Sequence, residues 1–445
     1  MVGAMALFGR KKKNEVVDEE PAPPPSLPDP PATDERGLRA VDAHLDYILS
    51  LVDELPPFGQ HISDCLGLSL SENIVADIDV PQFDNSAMDG YAVRHEDIAE
   101  ATTDNPVNLA VVGHIPAGQV AEDELSPGTA MKIMTGAPVP VGADTVVKVE
   151  DTDAGDEDVR VFTPPQPGAN IRARGEDIAD GTPVLSMGDV IGPRTVALLA
   201  TIGIDTVLVR PRPRVVVIST GSELVAPGLD LTKPGQIYDS NSYLVAALAE
   251  KAGAQVYRVG GVGDDPDELR RVITDQLVRA DLIVTTGGVS MGDHDIVKEI
   301  APSLGATDFA KIAMQPGKPQ GFGLIGDDET PILMLPGNPV SAFVSFEVFV
   351  RPVIRKLMGV RPLTRPTVPA ELTSAMKPDG FRRRYARGLV TTEATGKRTV
   401  ELVGGHGSHL VHEMQQANAL VVLPPGDTEI AIGENVDVWL MGDEA

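Results

Sequence analysis

At 445 residues the chain is too long for one core and predicts about three domains of ~150 residues. Apolar residues at 42% and charged ones at 23% exclude a collagen-like or wholly disordered chain. With 37 Lys plus Arg against 65 Asp plus Glu, the net charge of −28 repels phosphate backbones and anionic lipid, so a general nucleic-acid binder is excluded. Only 17 residues are aromatic (1 Trp, 6 Tyr, 10 Phe), which disfavours base-stacking platforms. Cys65 is the single cysteine, so neither an internal disulfide nor a multi-thiolate metal site can form, and a reducing compartment is expected. No apolar run approaches the ~20 residues of a membrane span, and the expected location is the cytoplasm.

Residues 1–35 read as a disordered, acidic, proline-rich tail, with seven prolines between Pro21 and Pro31. Its start, MALFGRKKK, could touch a partner or an anionic surface, or do nothing. From Leu38 a helix is predicted through Val41, Leu45, Ile48 and Val52, ending at Pro56 and Pro57. Residues 36–80 and 171–210 read as a linking mixed domain, with helical spacing in GDVIGPRTVALLATIGI (188–204), and 81–170 as an inserted β domain of short alternating runs.

Residues 211–362 alternate regularly: VVVIST, a helix around YLVAALAEKAG, QVYRVGGV, a helix from Pro266, LIVTTGG, a helix after Asp295, strands KIAMQ and PILML, and an apolar helix Pro339–Met358. Asp265, Pro266 and Glu268 supply a cap, a first-turn proline and a capping-box acid. The fold class is therefore multidomain α/β: a doubly wound, mostly parallel sheet with the inserted β domain, the linking mixed domain and, from 363 to 445, a β-barrel-like domain.

Ligands of such sheets bind beyond the carboxyl ends of the strands. The loops expected there are TGSEL, GDDPD, TTGGVSMGDHD, QPGKP and PGNPVS, and TTGGVS offers successive bare N–H groups for a phosphate. Glu223, Asp264, Asp293 and Asp295 crowd the same rim and would repel that phosphate unless a divalent cation such as Mg2+ lay between. Singly, Asp293 or Asp295 could cap the next helix and Asp264 could be a turn residue. Lys318, Ser341 and Arg382, Arg383 or Arg384 are candidates for a smaller oxyanion. DNSAMDGYAV (84–93), IMTGAPVPVGADTVV (133–147) and PGANIRARGEDI (167–178) look like site loops outside the sheet. Turn chemistry is the structural alternative for Asp89, Asp144 and Thr135, and a solvated charge pair for Arg172 and Arg174.

In order along the chain, DNSAMDGYAV, IMTGAPVPVGAD, NIRARGEDI, STGSEL, TTGGVSMGDHD, PGKP and LPGNPVS resemble the MoeA family of molybdopterin molybdenumtransferases, which includes the E domain of gephyrin. The resemblance implies an elongated homodimer and the last step of molybdenum cofactor synthesis, in which adenylylated molybdopterin and molybdate react with release of AMP, assisted by Mg2+. It implies Asp89, Thr135, Asp177, Glu223, Asp264 and Asp295 as catalytic, with Asp89, Thr135 and Asp177 acting in trans. Glu223, Asp264, Asp293 and Asp295 would hold the metal. Thr220, Gly221, Gly287, Gly288, Ser290, Pro336, Gly337, Asn338 and Ser408 would bind the cofactor, and Lys318, Ser341 and Arg382 the molybdate.

Gln315 departs from a family lysine, removing a positive charge near the anions. His412 and Glu413 replace small hydroxyl residues, and the acid would oppose an oxyanion unless His412 compensated. The alternative function is a gephyrin-like scaffold binding peptides of cytoskeletal, cell-division or membrane-receptor partners, recruited through them to a membrane or division site. Its groove is expected near the helix at 340–358, which could equally lie at the dimer interface.

Overall fold

The computed structural model describes residues 26–289, 295–405 and 407–442. By internal packing they form two units. One takes the chain up to Val52, Pro213–Ile354 and the residues from Thr364 onward; the other takes Asp53–Arg212 with Arg355–Leu363.

In the first unit the opening helix α1 spans Val41–Ser50. The stretch before it, placed by composition in the tail, is held from residue 28 on. The Tyr47 hydroxyl donates to Pro28 O at 2.9 Å and Arg39 Nε to Pro31 O at 3.2 Å. MALFGRKKK lies outside the described residues.

The α/β sheet comprises β1 (Arg214–Thr220), β2 (Gln255–Val262), β3 (Leu282–Thr286), β4 (Gly305–Lys311), β5 (Pro319–Ile325) and β6 (Thr330–Leu335), in the order β2-β1-β3-β6-β5-β4. The first four of that order run parallel, and the pairings of β6 with β5 and of β5 with β4 are antiparallel. β1 is buried at every position from Val215 on, as a strand covered on both faces must be. Helices α2 (Asn241–Lys251), α3 (Pro266–Leu277), α4 (Ile296–Ile300) and α5 (Pro339–Ser345) complete the alternation. The Asp265 carboxylate caps α3 by accepting from Asp267 N at 3.0 Å, and Leu269 and Ile273 bury the inner face.

Two elements differ from expectation. KIAMQ is not a strand of this sheet: Lys311 ends β4, and Met314–Gln315 pairs instead with the strand Arg383–Thr392. The strand PQGFGLI escapes the period-two pattern because Gly321 and Gly323 interrupt it. Both glycines are steric necessities, since a Cβ would stand 2.8 Å from the Phe309 ring at one and 2.7 Å from Ala306 O at the other.

The apolar helix after Pro339 presents no free face within this unit. Val344, Phe346, Val348 and Phe349 are at most 2% exposed, so their side chains are spent in the unit's own core and offer neither a peptide groove nor a dimer surface. A π-helical turn, Phe346–Val350, continues it.

The C-terminal strands β7 (Thr367–Leu372), β8 (Arg383–Thr392), β9 (Arg398–Leu402), β10 (Ala419–Leu423) and β11 (Asn435–Leu440) close into a five-stranded barrel, because β8 pairs with both β9 and β10. Leu372, Val400, Val421, Leu423 and Val438 fill it. Helix α6 (Val411–Gln416) intervenes between β9 and β10.

The second unit holds a curled five-stranded sheet ordered Thr145–Lys148, Gly90–Val93, Thr129–Ile133, Val107–Ile115 and Asp158–Val161, whose third and fourth strands are parallel. The strand Gly90–Val93 is buried on both faces: Tyr91 and Val93 enter one core, Ala92 another. A further layer packs the helix Pro193–Thr201 over Cys65, Leu70, Val207 and Val209. No helix among the described residues is long and apolar enough to cross a membrane.

Candidate functional site

A cavity of about 720 Å3 opens at the carboxyl ends of the parallel strands. All five expected loops reach it, with Thr220, Gly221, Glu223, Asp264, Gly287, Gly288, Asp295, Pro336, Gly337, Asn338 and Ser341 present. From QPGKP only Pro319 reaches it; Lys318 and Ser408 are not among the lining residues. Ser290 and Asp293 lie outside the described residues.

Local chemistry explains the positions. Gly221 adopts φ +149°, and a Cβ there would meet the Glu223 carboxylate at 2.5 Å, so the bare glycine lets that side chain fold back over the loop. Asp264 is fixed by Ser222, whose N–H and hydroxyl donate to one carboxylate oxygen at 3.1 and 2.5 Å. Gly287 has φ +94°, and a Cβ would stand 2.7 Å from Thr220 O. Its N–H is not bare as expected: it donates to Leu335 O at 3.1 Å, because the loop first prolongs the pairing of β3 with β6. Among the described residues the Gly288 N–H has no such backbone partner, which leaves it as the glycine donor of this loop not taken by the sheet.

Asp295 precedes α4 but makes no capping bond, and its buried Oδ2 has no hydrogen-bond partner among the described residues. Buried polar atoms are rarely left so, and an acceptor in this state suits a cation. Glu223 and Asp264 are exposed to the same cavity. No three acidic, histidine or cysteine side chains among the described residues gather as a ready-made metal cage. Mg2+ needs only one or two carboxylates plus phosphate oxygens, and the orphaned Asp295 oxygen, with Glu223 on the same cavity, is a donor set that fits it.

Sequence reasoning missed Asp239, which is 3% exposed at the cavity wall. Its carboxylate accepts from Ser219 Oγ at 3.0 Å, Ser242 N at 3.0 Å and Ser242 Oγ at 2.5 Å. An Asp three residues before a Ser at the start of α2 was the available signal. Asn241, Ile237, Tyr238 and His409 were missed as well.

A second, small cavity of about 30 Å3 is lined by Gln315, Arg384, Tyr385, Arg387, Gly405 and Gly407 among others. Arg382, the expected oxyanion ligand, is already used: it grips Asp379 at 2.6 and 3.2 Å and reaches Gln315 Oε1 at 3.3 Å. Arg383 is held by Asp42 through two bonds of 2.6 Å. Arg384 is the member of that run that lines the small cavity. Glu413 does not oppose an anion as expected, since Arg387 Nη2 neutralises it at 2.9 Å. His412 lines neither cavity and meets Gln416 at 3.3 Å.

In the second unit the three polar strings are laced into one surface. Ser86 N donates to Ala137 O, and Asn85–Ser86 pairs with Ile171–Arg172. Asp89 and Thr135 meet there directly. The two Thr135 donors, backbone first and hydroxyl second, hold the exposed Asp89 carboxyl below the usual carboxylate range. Asp177 is exposed nearby in sequence to Ile178, which bonds to Val80. Asp144 is spent on structure, though not in a turn: it accepts from His95 N at 2.7 Å and from the Thr145 hydroxyl at 2.9 Å, and Arg174 pairs with Asp79 at 2.5 Å.

Known families cover almost the whole chain. Residues 39–203 match the MoeA N-terminal region (domain I and II), 216–356 a probable molybdopterin binding domain, and 369–441 the MoeA C-terminal region (domain IV). The chain belongs to the MoeA family. A MoeA-family relative, molybdopterin molybdenumtransferase 2 of Mycobacterium tuberculosis, is 43% identical over 408 residues, 90% of this chain and 99% of the relative. The molybdopterin molybdenumtransferase of Nostoc sp. is 39% identical over 373 residues, 83% of this chain and 85% of its own. The crystal structure of the molybdopterin biosynthesis MoeA protein from Pyrococcus horikoshii OT3 superimposes with a TM-score of 0.76 at 29% identity, covering 91% of this chain and 100% of that one.

Proposed function

We propose that this protein is a molybdopterin molybdenumtransferase, which inserts molybdenum from molybdate into adenylylated molybdopterin and releases AMP. The observation that carries the proposal is the cavity of about 720 Å3 in which the TGSE, GDD, TTGG and PGNPVS loops of a MoeA-family chain converge.

In this reading Gly288 and Thr220 hold phosphate oxygens, and Asp295 and Glu223 would hold a magnesium ion together with them, with Asp264 at the same rim. Bound there, Mg2+ would neutralise anhydride charge and polarise the phosphoryl group. The small cavity takes the molybdate. Arg384 supplies positive charge at its wall, with Ser341 and Lys318 as further ligands from the neighbouring loops. The rest of the work is positioning, for which Asp239 and its serine donors keep the floor rigid.

The exposed Asp89, Thr135 and Asp177 complete the site from a second copy, which makes the working form a homodimer. No observation on the described surface favours the peptide-binding scaffold.

The test is AMP release by purified protein given adenylylated molybdopterin, molybdate and magnesium. Molybdate-dependent AMP is expected from the wild type and not from Glu223→Gln. Release that needs no molybdate, or survives that substitution unchanged, refutes the assignment.

A further inference from the structure

The large cavity has an electrostatic imbalance. Four carboxylates, Glu223, Asp239, Asp264 and Asp295, line it, and no lysine or arginine does. Among the described lining residues one side chain can carry positive charge, His409. It is also the lining residue that comes from the C-terminal barrel segment, between β9 and α6, rather than from the α/β sheet.

Its position is built, not loose. On one side Val340 N donates to Ser408 O at 3.0 Å, tying the loop to the first turn of α5 beside Ser341. On the other, Arg387, 6% exposed, donates to Gly407 O at 3.1 Å and Gly405 O at 2.6 Å. The ring itself rests against Gly407, where a Cβ would come within 3.0 Å of His409 Cε1. A glycine there leaves the imidazole its place while three backbone anchors fix where it emerges.

We propose that His409 is a ligand-contacting residue of the transferase, donating a ring N–H to a phosphate oxygen of the bound nucleotide. This rests on the functional reading above. A phosphate entering a wall of carboxylates needs donors, and an imidazole offers one in either tautomer. The barrel domain thereby contributes to substrate binding as well as to architecture.

The experiment is calorimetric titration of AMP into wild type, His409→Ala and His409→Gln, with thermal midpoints recorded alongside. Wild type should bind AMP, the alanine variant about tenfold more weakly, and the glutamine variant, whose amide still donates, close to wild type, all with unchanged midpoints. Equal affinity of wild type and alanine variant would overturn the role of His409 while leaving the transferase intact. Equal loss in both variants would overturn the donor role as stated. A wild type that neither binds AMP nor releases it from substrate would instead sink the transferase reading and this inference with it.

Discussion

Thr135 gives both its backbone N–H and its hydroxyl to a single oxygen of Asp89, at 2.7 and 2.8 Å. Residues 46 apart in sequence are thus locked into one unit on an exposed surface. Two donors to the ionised form favour it, which is why the Asp89 carboxyl sits below its ordinary range. Thr135→Val removes one donor and keeps the other, so the Asp89 carboxyl should titrate closer to its usual value, observable by carboxyl-carbon NMR. An unmoved titration would contradict the geometry. Asp89→Asn should leave the unfolding midpoint in place and lower AMP release about a hundredfold.

Asp295 distinguishes a functional from a structural acid. Deleting a genuine N-cap side chain costs about 1 kcal/mol. Here no capping bond exists and Oδ2 is an orphan, so Asp295→Ala should unfold at the same or a higher temperature while AMP release collapses. A clear drop in midpoint would return Asp295 to the helix.

Glu347 and Arg365 form a buried pair, 1% and 6% exposed, with bonds of 2.7 and 3.1 Å. Removing one partner strands the other charge. Glu347→Gln should therefore destabilise the protein by about 3–5 kcal/mol in denaturant unfolding. A loss below about 1 kcal/mol would mean that Arg365 finds other partners.

His44 makes stability depend on acid. Burial above all, and then the Arg39 charge, lower its pKa from 6.5 to about 4. Its Nδ1 faces Arg39 Nη1 at 3.0 Å and its ring meets Phe349 edge-on. The unfolded imidazole protonates near 6.5 and the folded one only near 4, so between these values the unfolded state binds more protons. Stability is then full above pH 6.5 and declines as pH falls toward 4, by about 3 kcal/mol for this group. His44→Gln should flatten that part of the pH profile of unfolding. A profile unchanged by the substitution would assign the acid sensitivity elsewhere.

Much of this protein was readable before any folding was considered. The period of VVVIST and LIVTT, the cap at Asp265 and the glycine-rich loops are local signals, because helix capping, strand burial and positive φ act within a few residues. They were enough to place the α/β domain, its rim and the loops that meet there. What they could not show was which side chains are already spent. Arg383 reads as an anion ligand until Asp42, 341 residues away, is seen to hold it, Glu413 as an intruding charge until Arg387 neutralises it, and Gly287 as a free donor until Leu335 takes its N–H. Asp239 and His409 carried weak local patterns and gain meaning only from the wall they share. Hydrogen bonds and charges are satisfied by whatever partner the fold brings near, often across a hundred residues or more, and that pairing belongs to tertiary structure alone.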